Sequence, residues 1–183
     1  MSTARSMLAL VLMLGLVIPV YGQQEKGDIE LQLQGTFSAT VGADVSNNVG
    51  TLTGKFAPYI TTNIQIGVGP TLTITTSTTT SPQSGTSNVV TETETKATVG
   101  TTAFIVYSLL LKNATTVPYL GASYYKRDFS NDEDRGWVGG NGGAKFFFAK
   151  KMAADLSINY LFSLNPETKG GLLLFAVGLS FLL

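Results

Sequence analysis

Apolar and polar side chains alternate with a period of two along most of the chain. The pattern is clearest from Asp28 to Thr40, where Ile29, Leu31 and Leu33 lead a series of apolar or small residues, and polar residues fill the positions between. This alternation predicts a β-strand, because a helix would scatter the apolar positions around its axis. Strands of soluble β proteins average about 5–6 residues, whereas a strand that crosses a bilayer needs about 9–11. The stretch is therefore long enough to cross a membrane.

The C-terminal stretch, Gly171 to Leu183, shows the same alternation. Large apolar residues occupy one face, and the other face becomes smaller and more polar toward the end. A transmembrane helix needs roughly 20 apolar residues, and glycine disfavours a helix interior. We predict instead a strand that closes a barrel in lipid. The alternative is an ordinary core strand of a soluble β protein.

Alternation predicts six further strands, at Thr51–Ile60, Ile64–Thr76, Glu92–Tyr107, Val117–Phe129, Gly136–Phe148 and Ala153–Phe162. Polar loops near residues 43–50, 77–91, 130–135 and 164–170 follow the first, third, fifth and seventh strands. Tight turns near residues 61–63, 111–115 and 149–151 follow the others. Eight long strands joined in this way predict an all-β fold, an eight-stranded antiparallel up-and-down transmembrane β-barrel. The inner face of strand 117–129 is left undetermined.

The scarcity of charge decides which strand faces point outward. A soluble, lipocalin-like barrel has an apolar lumen and needs many charges on its outer face, and these strands carry too few. We therefore expect the apolar faces to contact lipid and the polar faces to line the lumen. Aromatic residues near strand ends are expected in interfacial girdles, and five residues lie at such positions: Tyr59, Tyr107, Tyr119, Phe148 and Tyr160.

The N-terminal residues 1–22 have the features of a secretory signal peptide. Arg5 supplies the positive charge, Met7 to Ile18 is a short apolar region, and Val20 and Gly22 offer small residues before Gln23. Cleavage leaves residues 23–183 as one barrel domain. The alternative is an uncleaved membrane anchor.

Composition restricts the chemistry open to the chain. Charged residues make up 13% of it and the net charge is zero, whereas about 25% charged residues is usual; the mean hydropathy is +0.22. Nothing therefore points to a nucleic-acid partner. There is no cysteine and no histidine, which removes thiolate metal ligands, thiol nucleophiles and the commonest general base. We expect no catalytic residue, no cofactor and no enzyme activity.

The strand registers place five charged residues in the lumen: Glu30, Lys55, Lys96, Lys145 and Asp155. An eight-stranded barrel is just wide enough for side chains to fill it, and buried charges must pair. We predict a network in which Glu30 and Asp155 face Lys55 and Lys145, and which plugs the barrel. A narrow, gated polar path is the alternative. The acidic run 132–134 offers oxygen ligands for Ca²⁺ but matches no EF-hand spacing, so no metal site is predicted.

Four sequence features carry a resemblance to a known family: the signal peptide, the eight alternating strands, a repeated cassette and the C-terminal residues. The cassette KFAPYITTNIQIGVGP is followed later by the similar KFFFAKKMAADLSINYLF, and the terminal GLSFLL places Gly178, Phe181 and Leu183 as in the C-terminal insertion signal of bacterial outer-membrane proteins, with Leu in place of the usual Phe. Over residues 28–183 the chain resembles the small outer-membrane β-barrel family, which includes the OmpA transmembrane domain, OmpX and OmpW-like porins. The lipid A-modifying members depend on a histidine that this chain lacks.

The resemblance implies a place in the outer membrane of a Gram-negative bacterium, with both termini in the periplasm. It also implies contact with outer-membrane lipids and lipopolysaccharide, recognition of the C-terminal strand by the barrel-assembly machinery, and a monomeric state. The leading hypothesis is a non-enzymatic structural or surface-interaction protein that binds through its loops. A small pore for hydrophobic or small polar solutes and a soluble carrier of an apolar ligand are the alternatives.

Overall fold

The computed structural model describes residues 24–41, 45–82, 89–110, 115–165 and 171–183. They form eight strands: β1 (Ile29–Val41), β2 (Val45–Pro58), β3 (Ile64–Pro82), β4 (Val89–Ser108), β5 (Thr116–Lys126), β6 (Trp137–Ala149), β7 (Met152–Ser163) and β8 (Gly171–Leu182). Each strand pairs antiparallel with the next, and the sheet closes into a barrel. The predicted fold class is confirmed. None of the described residues form a helix long and apolar enough to cross a membrane.

Strand β8 closes the barrel, as its sequence predicted. It pairs with β1 from Glu30↔Leu182 to Thr36↔Ala176, and on its other side it pairs with β7. The backbone N–H of Leu183 donates to the carbonyl of Ile29 at 2.9 Å. This seam satisfies backbone groups that would otherwise form two open sheet edges, which lipid does not tolerate.

Two predicted loops are largely strand. β2 begins at Val45, inside the predicted loop 43–50. β3 ends at Pro82 and β4 begins at Val89, both inside the predicted loop 77–91. For residues 77–91 the prediction was wrong because a Ser/Thr-rich composition was read as loop, whereas threonine favours strands. Across β3 and β4 the Oγ1 atoms of Thr76 and Thr95 lie 3.3 Å apart, as do those of Thr78 and Thr93.

The tight turns at residues 61–63 and 149–151 are confirmed. At the first, the Ile60 N–H donates to the Ile64 carbonyl at 2.9 Å, and at the second, residues 150–151 form a turn between β6 and β7. Residues 111–114 of the third predicted turn, residues 166–170 of the last predicted loop and the predicted signal peptide, 1–22, lie outside the described residues.

The outer surface of the barrel is a belt of exposed apolar side chains. Leu33 is 53% exposed and Phe37 68% exposed on β1, and similar residues line the outward face of every strand. The charged residues of the described strands fall at inward-facing positions, apart from Lys126 at the end of β5. A soluble protein rarely exposes so large a continuous apolar surface, so the belt fits contact with lipid.

The orientation of β5, which the sequence left open, is resolved by burial. Val117, Tyr119, Ser123 and Tyr125 are buried in the lumen, and Leu120 is exposed on the belt. Odd-numbered residues of β5 therefore point inward.

Candidate functional site: the lumen and its outer mouth

The end of the lumen that holds the tight turns is sealed by an apolar layer. Tyr59, Val117, Phe147, Ala153 and Leu182 pack together there and are nearly inaccessible to solvent. The segment before β1 is tied to the same end, because the Gly27 N–H donates to the Tyr59 carbonyl at 3.0 Å and the Tyr59 N–H donates to Asp28 at 2.9 Å. Within the described residues, this end of the barrel is closed by side chains from five different segments.

A buried ion pair lies directly beside this layer. Lys145 of β6 and Glu30 of β1 form a salt bridge in which the Glu30 side chain is 2% and the Lys145 side chain 4% exposed. The Tyr59 hydroxyl donates to Glu30 at 2.9 Å, and Gln65 Nε2 donates to it at 2.7 Å. Lys145 also donates to the Tyr59 hydroxyl at 2.9 Å. We call these four residues the buried network.

The buried network meets the demands of a charge removed from water. Burying an ion is costly unless its partner and further hydrogen bonds compensate for lost hydration. Glu30 accepts from three donors, and Lys145 donates to three acceptors, the third being Gln65 Oε1 at 3.4 Å. Because the four residues come from β1, β3, β6 and the residue that follows β2, their contacts cross the lumen.

Asp155 and Lys55 lie in the lumen, but not in the predicted ion pairs. Asp155 of β7 accepts a 2.8 Å hydrogen bond from the Tyr119 hydroxyl of β5. The Lys55 ammonium lies 5.0 Å from the centre of the Phe104 ring, a cation–π contact. Within the described residues, the ion pairs at 4 Å or less join Lys145 to Glu30 and Lys96 to Asp128. The predicted four-membered charge network is thus correct only for Glu30 and Lys145.

The middle of the lumen contains two small cavities, of about 50 and 20 Å³. Gln34 of β1 donates to Ser157 of β7 at 2.8 Å across this region. Farther toward the outer end, the hydroxyls of Tyr125 and Thr73 lie 2.9 Å apart and join β5 to β3. The larger cavity has room for a few water molecules, and side-chain contacts cross the lumen above and below it.

Beyond the Tyr125–Thr73 contact the lumen widens into a cavity of about 510 Å³, whose walls include Ser77, Lys96, Arg127, Asn131, Trp137 and Asn165. We call it the outer vestibule. Lys96 has the predicted inward register but not the predicted burial, because its side chain is 66% exposed at this mouth and lies 3.5 Å from Asp128. β3 and β4 continue past the apolar belt, so Lys96 keeps an inward register but lies above the packed interior.

The loop between β5 and β6 is ordered by two carboxylates. Asp134 accepts hydrogen bonds from the backbone N–H groups of Arg127 and Asp128, both at 3.1 Å, and from that of Gly136 at 2.9 Å. Gly136 has a φ of +85°, which favours glycine. These bonds end β5 at Lys126, three residues before the predicted end. The three residues of the acidic run 132–134 therefore differ in exposure: Asp134 is buried, whereas Asp132 and Glu133 are exposed.

Asp128 is held as a carboxylate by its neighbours. Its Oδ1 accepts from the Ser130 hydroxyl at 2.6 Å and from the Ser130 N–H at 2.9 Å, and Lys96 lies near its Oδ2. The hydrogen bonds from Ser130, and then the charge of Lys96, lower the pKa of Asp128 below its ordinary value.

The girdle assignment was wrong for two of its five aromatic residues. Tyr59 and Tyr119 are buried in the lumen, where their hydroxyls bind Glu30 and Asp155. Tyr107, Phe148 and Tyr160 are exposed on the outer surface, as expected. For Tyr59 the signal was present, because it shares the parity of the inward-facing Lys55. For Tyr119 no sequence signal fixed the register of β5.

Comparison with known proteins shows the fold. No family model matches the chain, and no curated protein does. The structure is similar to a de novo designed transmembrane β-barrel, with a TM-score of 0.51 and 11% identity over 88% of this chain and 99% of that one. It is also similar to the N-terminal β-barrel domain of Pseudomonas aeruginosa OprF, with a TM-score of 0.50 and 12% identity over 87% of this chain and 100% of that domain.

A third similar structure is Neisserial surface protein A, with a TM-score of 0.48 and 13% identity over 88% of this chain and 99% of that one. At such identities likeness establishes architecture alone, and we base the assignment on the first two structures and on the apolar belt. The chain has the fold of an eight-stranded transmembrane β-barrel.

Proposed function

We propose that the chain is an outer-membrane β-barrel protein with a structural or surface-interaction role, whose lumen is plugged by its own side chains. The observation that carries the proposal is the division of the strand faces. Apolar residues form the outer belt, whereas Glu30, Lys145 and Asp155 are buried inside. That arrangement is the inverse of a soluble lipocalin-like carrier, and it is the one that lipid requires.

Plugging is supported by the contacts that cross the lumen. The buried network lies beside the apolar layer at one end, and the Tyr125–Thr73 contact lies toward the other. A pore needs a continuous wet path, and cavities of about 50 and 20 Å³ between these contacts do not supply one. The outer vestibule is accordingly a blind cavity, which favours binding over conduction.

The orientation in this proposal follows from the strand connections. The end with the tight turns and both barrel termini faces the periplasm, and the extended β3–β4 end faces outward, as outer-membrane barrels arrange short turns and long loops. The proposed partners are outer-membrane lipids and lipopolysaccharide around the belt and the barrel-assembly machinery at β8. The protein acts as a monomer, without a catalytic step.

Membrane fractionation combined with heat-modifiability tests the proposal. The chain is expressed with its N-terminal segment in a Gram-negative host, and boiled and unboiled samples of each fraction are compared by gel electrophoresis. We expect the protein in the outer-membrane fraction, with a mobility that changes on boiling because a closed barrel resists detergent unfolding. A soluble periplasmic protein without such a shift would contradict the proposal and favour the soluble carrier.

A further inference from the structure

We propose that the outer vestibule is a binding site for a neutral saccharide of one or two sugar rings. This inference rests on the proposed function, since it gives the surface-interaction role a ligand class. The cavity of about 510 Å³ falls within the range of about 300–1,000 Å³ typical of small-molecule sites. It lies beyond the apolar belt, at the end of the barrel where β3 and β4 are longest.

The polar groups of the vestibule are arranged to donate hydrogen bonds. Asn165 Oδ1 accepts from the Arg135 N–H at 2.7 Å, and Asn131 Oδ1 accepts from the Glu133 N–H at 3.0 Å. Because a backbone donor binds the oxygen of each amide and fixes which end faces the loop, its NH₂ group is available as a donor to a ligand. Neither NH₂ group has a partner among the residues that the structure describes.

The acids of the vestibule wall are mostly engaged within the protein. Asp134 accepts from three backbone N–H groups, and Asp128 is bound by Ser130 and Lys96. Glu94 also lines the cavity and is exposed. The vestibule therefore offers amide donors together with one accessible carboxylate acceptor, which matches sugar hydroxyls, since each both donates and accepts.

An aromatic face completes the site. Trp137 begins β6 and lines the vestibule, and the Arg127 guanidinium carbon lies 6.0 Å from the centre of an indole ring. Arg127 thus lies against the ring at the outer range of a cation–π contact. A flat apolar surface beside convergent polar groups is suited to a sugar ring, which has C–H groups on its faces and hydroxyls at its edge.

Charge distinguishes a saccharide from a phosphate, the other oxygen-rich ligand of a membrane surface. Two cations, Lys96 and Arg127, line the cavity with three acids, Glu94, Asp128 and Asp134. The formal charge of these five groups is −1, from +2 and −3. Charge-assisted donors strengthen phosphate binding, and a wall with a formal charge of −1 repels an anion, so the balance favours a neutral ligand over a lipid headgroup or lipopolysaccharide phosphate.

The chain contains a single tryptophan, so its fluorescence reports on the vestibule alone. The full barrel, reconstituted in phosphatidylcholine vesicles, is titrated with glucose, galactose, N-acetylglucosamine, lactose and inorganic phosphate. We expect a saturable change in emission with at least one sugar and none with phosphate. The absence of a saturable response to every sugar, or a response to phosphate alone, overturns the assignment.

Two isosteric variants test the amide donors. Asn131→Asp and Asn165→Asp keep the oxygen that accepts from the loop backbone and remove the NH₂ donor. Each should weaken sugar binding at least about tenfold, the equivalent of about 1.4 kcal/mol. Asn48→Asp is the matched control, because Asn48 is exposed on β2 and does not line the vestibule; it should leave affinity unchanged.

Heat-modifiability of the same samples separates the two proposals. Variants that retain the mobility shift but bind the sugar as well as the unmodified protein would refute the saccharide site and leave the proposed barrel function intact. Loss of the shift in the unmodified protein would instead refute the barrel on which the site is built.

Discussion

Lys145 of β6 donates a hydrogen bond to Glu30 of β1 across the lumen. β7 and β8 separate these strands on one side of the closed barrel. The bond therefore connects distant parts of the wall through the interior, and both charges are nearly inaccessible to water.

Removing one partner of this pair should destabilise the barrel strongly. Lys145→Met leaves the Glu30 carboxylate buried without its counter-charge, which typically costs about 3–5 kcal/mol. Urea unfolding in lipid vesicles, followed by the fluorescence of Trp137, measures the free energy of unfolding. The double variant Glu30→Gln, Lys145→Met carries no buried charge at this position and should recover most of the loss. Equal losses in the single and double variants would show that charge pairing is not what stabilises the lumen.

Gly143 of β6 leaves the space that the Tyr119 ring occupies when its hydroxyl binds Asp155. A Cβ at Gly143 would clash with the backbone carbonyl oxygen of Leu156 and would lie 2.7 Å from Cζ and from the hydroxyl oxygen of Tyr119, the residue that binds Asp155. Gly143→Ala should therefore displace the β7 backbone at Leu156, the Tyr119 ring, or both, and lower stability by about 1–3 kcal/mol, the usual cost of overpacking. Gly140→Ala is the control on the same strand, because its Cβ would meet no atom nearer than 3.8 Å. Equal urea midpoints for the two variants would contradict this account of the close packing around Gly143.

The free-energy cost of adding a charge to the outer surface should depend steeply on whether the position lies within the belt. Leu33→Arg places a cation near the middle of the outward face of β1, and at the bilayer midplane this costs about 2–4 kcal/mol. Thr93→Arg lies on the exposed extension of β4, where water solvates the charge, and should cost little. The free energy of unfolding in vesicles compares them. If the Leu33→Arg protein is as stable as the Thr93→Arg protein, Leu33 does not contact the hydrocarbon layer, which would contradict the assignment of the belt.

The loop at the vestibule should lose stability on strong acidification. The pKa of Asp128 is lower in the folded state than its ordinary value of 3.8. Its carboxylate therefore stabilises the folded state at pH values above 3.8, and this contribution is lost as the pH falls through the folded-state pKa. Titration of the Asp128 carboxyl carbon by NMR measures this value directly. Ser130→Ala should move it upward, because the hydroxyl donor is lost. An Asp128 that titrates at or above its ordinary value would contradict the observed hydrogen bonds.

Much of the fold was predictable because the period of alternation is two and one face of each strand is strongly apolar. A register error of one residue would have moved Glu30 into lipid and Leu31 into the lumen. Charged residues therefore fix which face of a strand points inward. It failed at β5, where tyrosines occupy both faces, and in the Thr-rich stretches of β3 and β4. Composition there matches a loop as well as a solvated strand.

The candidate site was less predictable than the fold. Alternation assigned Glu30, Lys145 and Asp155 to the interior, but it carries no information on depth along the barrel. Depth is what separates Lys96, at the mouth, from Lys145, in the buried network. Pairing across the lumen also depends on strand stagger, which the sequence does not reveal, so Tyr119 rather than a lysine is the partner of Asp155.

Conductance across a planar lipid bilayer is the most direct test of the plugged lumen. The folded protein, shown to be heat-modifiable, is inserted into the bilayer and the current is recorded under an applied voltage in concentrated salt. We predict no stepwise conductance, because the buried network and the apolar layer close the interior. Reproducible discrete steps from the unmodified protein would contradict the plug and identify the barrel as a pore.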